Sequence, residues 1–249
     1  MSTCSIAMIL VAAGQGERLG AGVPKALATI SGETLLAHSV RAALSVEGIE
    51  QLVIAAPDAH LEEFAAIIQS VSERLASLIP VKIVAGGETR QASIAKAVAV
   101  CDALTECILV HDVARALAPV ELFERVADAV RTTSASVIPA LEIADTIKRV
   151  SGEQVQETVD RSSLRSAQTP QGFIAADLKR AYANASDDFT DDAALMQSQG
   201  KKVSFVAGEV EAVVFALEAE AAAPRTAQDL RRVALILGEQ RLNLRPRGR

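Results

Sequence analysis

Apolar runs of strand length recur through the first half of the chain, at Ile6–Ala12, Gln51–Ala56, Val81–Val84, Cys107–Val110 and Ser136–Ala140. The segments between most of them carry apolar residues at helical spacing, over Leu35–Leu44, Leu61–Gln69, Arg90–Val100 and Val120–Arg131. These stretches are rich in Ala, which favours helix by propensity. Strand then helix, repeated, predicts an α/β fold around a parallel sheet, and continuous rather than alternating apolar strands predict burial on both faces.

After Ala140 the rhythm breaks. Leu141 to Ser166 is rich in Thr, Val, Ser and charged residues, with a turn signal at Ser151-Gly152 between Thr146–Val150 and Val155–Val159. This pattern predicts a β-hairpin arm over about residues 141–166, projecting from the domain. Helical patterns resume at Ala176–Ala185 and Asp191–Gln199, strands at Val203–Val206 and Val213–Phe215, and a last helix at Thr226–Leu237. No stretch of linker composition divides the 249 residues, so one domain is expected, ending in a flexible basic tail over 241–249.

Composition narrows the function. The core must be built from Ala, Val, Ile and Leu, because aromatics make up only 3% and Trp is absent. That leaves no platform for stacking single-stranded bases. A net charge of -6 removes the basic surface that non-specific nucleic-acid binders need. Three cysteines, Cys4, Cys101 and Cys107, form no C-x-x-C pair, and Ile6–Ala13 is too short to span a bilayer. A protein of the reducing cytoplasm, with no membrane segment, is expected.

The first strand runs into Ala12-Ala13-Gly14-Gln15-Gly16-Glu17-Arg18, with Pro24-Lys25 shortly after. Small residues at the carboxyl end of a parallel strand let backbone N–H groups close on a phosphate chain. The spacing matches neither the dinucleotide fingerprint nor the Walker loop, since Gly20 lies four residues after Gly16 and Lys25 follows Pro24. What remains is a glycine loop with Arg18 and Lys25 placed to reach one triphosphate. Asp112, after the fourth strand, falls where a magnesium ion bridging phosphates finds a ligand, unless it only caps the next turn. His111 reads as a packed imidazole. Gly86-Gly87-Glu88-Thr89-Arg90, before a helix, suits a base or ribose, and Thr190-Asp191-Asp192 reads as a helix start capped by Thr190.

Taken in order, these motifs, with Asp145-Thr146, Asp160-Arg161 and Gln168-Thr169-Pro170-Gln171-x-Phe173, resemble the 2-C-methyl-D-erythritol 4-phosphate cytidylyltransferases of non-mevalonate isoprenoid biosynthesis over about residues 6 to 206. The resemblance implies a Rossmann-like nucleotidyltransferase fold and transfer of a cytidylyl group from CTP to 2-C-methyl-D-erythritol 4-phosphate, with release of pyrophosphate. By position it implies Arg18 and Lys25 as the catalytic cations and Ala12, Ala13, Gly14 and Gly16 around the triphosphate. Gly87, Glu88 and Ser93 would meet the cytidine, Asp112 would hold magnesium, and Arg115, Thr146, Arg161 and Thr190 would line the acceptor side. It further implies a homodimer clasped by the arm, with Arg161 serving the neighbour's site. The family's C-terminal Lys has no counterpart: Val214 or Ala223 stands where it belongs. Two alternatives therefore stay open, a different acceptor such as ribitol 5-phosphate and a non-catalytic nucleotide-binding dimeric scaffold.

Overall fold

Each apolar run forms a strand, and alternate side chains on it enter cores on opposite faces of one sheet. The computed structural model describes residues 5–14 and 24–214. Strand β1 (Ile6–Val11) is followed by a two-residue ribbon, β2 (Thr29–Ile30) and β3 (Glu33–Thr34), and by helix α1 (Leu35–Leu44). Then come β4 (Ile49–Ala56), α2 (Leu61–Arg74), β5 (Val81–Ala85), α3 (Arg90–Ala99), β6 (Cys107–Asp112), α4 (Val120–Thr133) and β7 (Ser136–Glu142). The arm is β8 (Ile147–Ser151) and β9 (Gln154–Val159), after which β10 (Arg165–Ala167), β11 (Gln171–Ile174), α5 (Ala175–Ala183), α6 (Asp192–Ser198) and β12 (Val203–Ala207) complete the described chain.

The main sheet has the order β10-β7-β11-β6-β1-β4-β5, with β12 paired to β7. Strands β6, β1, β4 and β5 are parallel neighbours, and β12 runs parallel to β7. Strand β11 lies antiparallel between β6 and β7. Along β1, Ile6, Met8 and Leu10 pack with α1, α2 and α4, while Ala7 and Ile9 pack with α3, α5 and α6. The period of two in the pleat thus supplies two cores from one apolar run. Helix α1 starts where the Thr34 side chain accepts from Ala37 N–H, and α3 where Thr89 accepts from Ala92 N–H.

Several expectations need correction. Asp191, not Thr190, caps α6: its carboxylate accepts from Ala194 N–H at 2.9 Å, and the shorter Thr190 side chain is left exposed. Val213 and Val214 form no strand, because the preceding turn ties its carbonyls to side chains rather than to a ladder; Ala212 O accepts from Arg115 Nη1 at 2.7 Å. Strands β10 and β11 were not expected at all. Phe215, the helix at Thr226–Leu237, the tail at 241–249 and Cys4 lie outside the described residues. The arm does form: β8 and β9 pair only with each other among the described strands, and Gly152 at their turn takes φ 57°, the left-handed region glycine tolerates.

Candidate active site

Parallel register brings the carboxyl ends of β1, β4, β5 and β6 to one edge of the sheet: Val11 pairs with Ala55 and Asp112, and Ala56 with Ala85. Ligands of open α/β sheets bind outside this edge. Buried Ala12 donates its N–H to Ala55 O at 2.9 Å, holding the turn into Ala13 and Gly14 against the sheet. A Cβ on Gly86 would stand 2.3 Å from that of Ala13, and one on Gly87 2.5 Å from that of Ala92, so close packing requires both glycines. A Cβ on Gly14 would meet nothing within 4 Å, so packing among the described residues does not demand glycine there.

Buried Ser93 organises the second turn. Its hydroxyl accepts from Gly87 N–H at 2.9 Å and donates to Thr89 O at 2.9 Å, while Lys96 Nζ donates to Gly86 O at 2.7 Å. Glu88 is exposed beside it. Lys25 opens a short 3-10 turn, Lys25–Leu27, which lies against the turn Val113–Arg115 that follows Asp112. Both turns therefore flank the crevice. Arg18 and Gly16 lie outside the described residues.

Asp112 is held from two sides. Its N–H donates to Thr169 Oγ1 at 3.1 Å, and its Oδ1 accepts from Arg90 Nε at 3.0 Å. Arg90 also donates from Nη1 to Asp192 Oδ2 at 2.9 Å; Asp192 has a fully buried side chain and accepts the Tyr182 hydroxyl on its other oxygen. Burial alone would lower the Arg90 pKa, but the charges of Asp192 and Asp112 raise it overall, so the guanidinium stays charged. Arg115 bonds to the carbonyls of Ala212 and Ala167, and burial lowers its pKa. His111 is the packed imidazole expected. Burial pushes it down to about 4, Thr169 Oγ1 lies 3.1 Å from Nδ1, and its ring lies 4.7 Å from that of Phe123.

Thr146 directly precedes β8 and Arg161 follows β9. Both are exposed at the root of the arm, with no bond to the crevice residues among those described. Thr190 lies nearer: Gln91 on α3 donates to Asp187 O at 2.8 Å and accepts from Phe189 N–H at 2.8 Å, which ties the Thr190 segment to the Gly86-Gly87 turn. Among the described residues no three His, Cys, Asp or Glu converge as a cage for a metal ion. Magnesium on nucleotide phosphates needs only one or two carboxylates, so Asp112 alone fits that chemistry. Glu209, a further carboxylate, is engaged by Arg125 at 2.7 Å. From the sequence, Arg90 belongs only to a turn suited to a base or ribose and Asp192 only to a helix start, and nothing singles out Tyr182. One signal was available: an Arg at the first position of a helix opposes the helix dipole and so wants a specific anion.

A sheet edge of backbone turns, flanked by Lys and Arg and carrying one carboxylate, suits the chemistry of a nucleotidyltransferase. The family model for 2-C-methyl-D-erythritol 4-phosphate cytidylyltransferase matches residues 6–223, and the chain belongs to that family. It is 45% identical over 229 residues to the bifunctional enzyme IspD/IspF of Clavibacter michiganensis subsp. michiganensis, covering 91% of this chain and 53% of that one. The chain thus spans about half the length of this relative. It is 42% identical over 214 residues to the 2-C-methyl-D-erythritol 4-phosphate cytidylyltransferase of Saccharopolyspora erythraea, covering 84% of this chain and 92% of that one. Among solved structures, the enzyme of that name from Thermus thermophilus superposes with a TM-score of 0.68 at 31% identity, over 95% of this chain and 98% of that one.

Proposed function

We propose that the chain catalyses the reaction named by its family, transfer of the cytidylyl group of CTP to 2-C-methyl-D-erythritol 4-phosphate. The acceptor phosphate oxygen attacks the α-phosphorus, the bond to the bridging oxygen breaks, and pyrophosphate leaves with that electron pair, giving 4-diphosphocytidyl-2-C-methyl-D-erythritol. The observation that carries the reading is the crevice itself, where Ala12, Ala13 and Gly14 face the Gly86-Gly87 turn while Lys25 and Asp112 flank them. Packing among the described residues does not require glycine at 14, and its bare backbone suits close approach by a phosphate chain.

Such a transfer needs positioning and charge neutralisation more than covalent help. Lys25 and Arg18 neutralise the crowded phosphorus centre, and Gly16 completes the phosphate loop. Gly87, Glu88 and Ser93 receive the cytidine, the hydroxyl of Ser93 being already fixed by Gly87 and Thr89. Asp112 would hold the magnesium ion, which when bound offsets phosphate charge. Arg115 and Thr190 serve the acceptor. Thr146 and Arg161, exposed at the arm root, serve it across a homodimer, where Val150 and Val155, paired on the arm and 60% and 61% exposed, find cover. This reading treats the chain as one domain acting in the cytoplasm; no helix among the described residues is long and apolar enough to cross a membrane.

A second reading keeps the chemistry and changes the acceptor. It rests on Val214, 37% exposed, which offers no charge where the resemblance expects a Lys. A pyrophosphate-release assay with CTP, magnesium and a panel of polyol phosphates tests both. Turnover with methylerythritol phosphate at least tenfold above that with ribitol 5-phosphate supports the first reading, and the reverse order overturns it.

A further inference from the structure

The buried polar group behind the crevice is larger than packing needs. Arg90 is the first residue of α3, where a cation opposes the helix dipole, and it is paired there with an entirely buried carboxylate. Burying such a pair costs more desolvation than apolar residues of similar volume would, so stability alone gives little reason for it. The guanidinium is a planar fork with fixed donor directions. One side of the fork, Nη1, grips Asp192 at 2.9 Å; another donor, Nε, meets Asp112 Oδ1 at 3.0 Å. Asp192 cannot swing, because Tyr182 donates to its second oxygen and Ala193 N–H, next to it, is bound by Gln171 Oε1 at 3.0 Å. The Asp112 backbone is pinned as well, by Thr169. Side chain and backbone of one crevice carboxylate are thus both fixed from behind.

We propose that Arg90 is a positioning residue of the transfer reaction: braced by Asp192 and Tyr182, it holds one oxygen of Asp112 so that the other is presented to the metal ion and nucleotide phosphates. The proposal rests on the reading of Asp112 as the metal ligand. Its physical basis is that carboxylate ligands are oriented by hydrogen bonds from outside the coordination sphere, and losing such a partner typically weakens metal affinity by about 10- to 100-fold.

The test uses Mn2+ as probe and the full-length protein with CTP and no acceptor, so that no turnover occurs. Water-proton relaxation separates Mn2+ held in the protein–CTP complex from Mn2+ on free CTP. Asp112→Asn is the reference and should lose the protein-held signal. Arg90→Gln combined with Asp192→Asn leaves no buried charge unpaired, and its melting temperature checks the fold. It is expected to weaken Mn2+ binding by about 10- to 100-fold and to lower kcat by a similar factor, with the KM for CTP changed less than about threefold. Tyr182→Phe removes only the outermost hydrogen bond and is expected to weaken Mn2+ about two- to fivefold. Wild-type Mn2+ binding in the folded double variant, or in Tyr182→Phe if the double variant does not fold, overturns the proposal while Asp112→Asn still loses the metal. Normal Mn2+ binding by Asp112→Asn overturns the metal reading, and the proposal with it.

Discussion

Gly208→Ala is expected to unfold the protein more readily through one side chain, Gln168. Gly208 does not adopt a positive φ, so the added methyl meets no backbone penalty of its own. Its Cβ would instead stand 2.3 Å from Gln168 Oε1, and 3.1 and 3.2 Å from the Ala140 carbonyl carbon and oxygen. The strand backbone cannot yield, so the Gln168 amide must. That amide, 3% exposed, accepts from Glu209 N–H at 3.0 Å and donates to Glu209 O at 2.8 Å and Ala212 O at 3.3 Å. A displaced acceptor leaves a partly buried N–H unmatched, at about 1 to 3 kcal/mol. Overpacking adds a contribution of about 1 to 3 kcal/mol, so a loss of about 2 to 6 kcal/mol is expected. Urea unfolding followed by circular dichroism measures it. Gln168→Ala removes the obstacle, so in that background Gly208→Ala should cost at least about 1 kcal/mol less than alone. A Gly208→Ala protein within about 0.5 kcal/mol of wild type, or two changes that simply add, would refute the reasoning.

Lys25→Ala and Arg18→Ala should each lower turnover at saturating CTP by at least about a hundredfold with unchanged circular dichroism, because charge-stabilising groups typically contribute several kcal/mol at the reacting centre. Asp112→Asn should abolish magnesium-dependent turnover while leaving the melting temperature near wild type; full activity at ordinary magnesium would move the metal elsewhere. Asp191→Ala should cost about 1 kcal/mol in urea unfolding, since it caps α6, whereas Thr190→Ala should be near neutral in stability and show its effect in the acceptor KM. Burial raises the Cys101 thiol to about 11. At pH 8 only about one thiol in a thousand is then ionised, so native protein should leave Cys101 unlabelled by iodoacetamide until denaturant is added, and prompt labelling would contradict its burial.

The first half of the fold was readable because its signal is local. Continuous apolar runs such as Cys107–Val110 and helical repeats such as Leu35–Leu44 leave little freedom once small residues and caps punctuate them. The sequence expectation ended α2 at Gln69, five residues early, because Ser70, Ser72, Glu73 and Arg74 are polar and only Val71 carries the stripe onward. Strand β11 was not readable: four residues, Gln171-Gly172-Phe173-Ile174, owe their state to neighbours distant in sequence. Gly172 is there because a Cβ would stand 2.7 Å from both Val126 and Val130 on α4. The site divides the same way. Backbone turns and the Asp112 position follow from strand ends, but the bracing of Asp112 joins α3, α5 and α6 through side chains whose partners lie up to 102 positions away.

Placing β11 between β6 and β7 has a consequence for the order of assembly. The connection from β6 through α4 to β7 lays down two parallel strands with an empty slot between them, and the chain must travel out along the arm before returning to fill it. Until it does, two inner edges expose unpaired backbone groups, a template for the wrong strand or another chain. Non-local closure of this kind slows folding. Because the inserted segment also brings Thr169 to Asp112 and Gln171 to Asp191, the crevice acquires its final geometry only when the sheet closes. An incompletely folded chain therefore holds neither the carboxylate nor the Thr190 segment in place, and catalytic competence arrives with the last central strand.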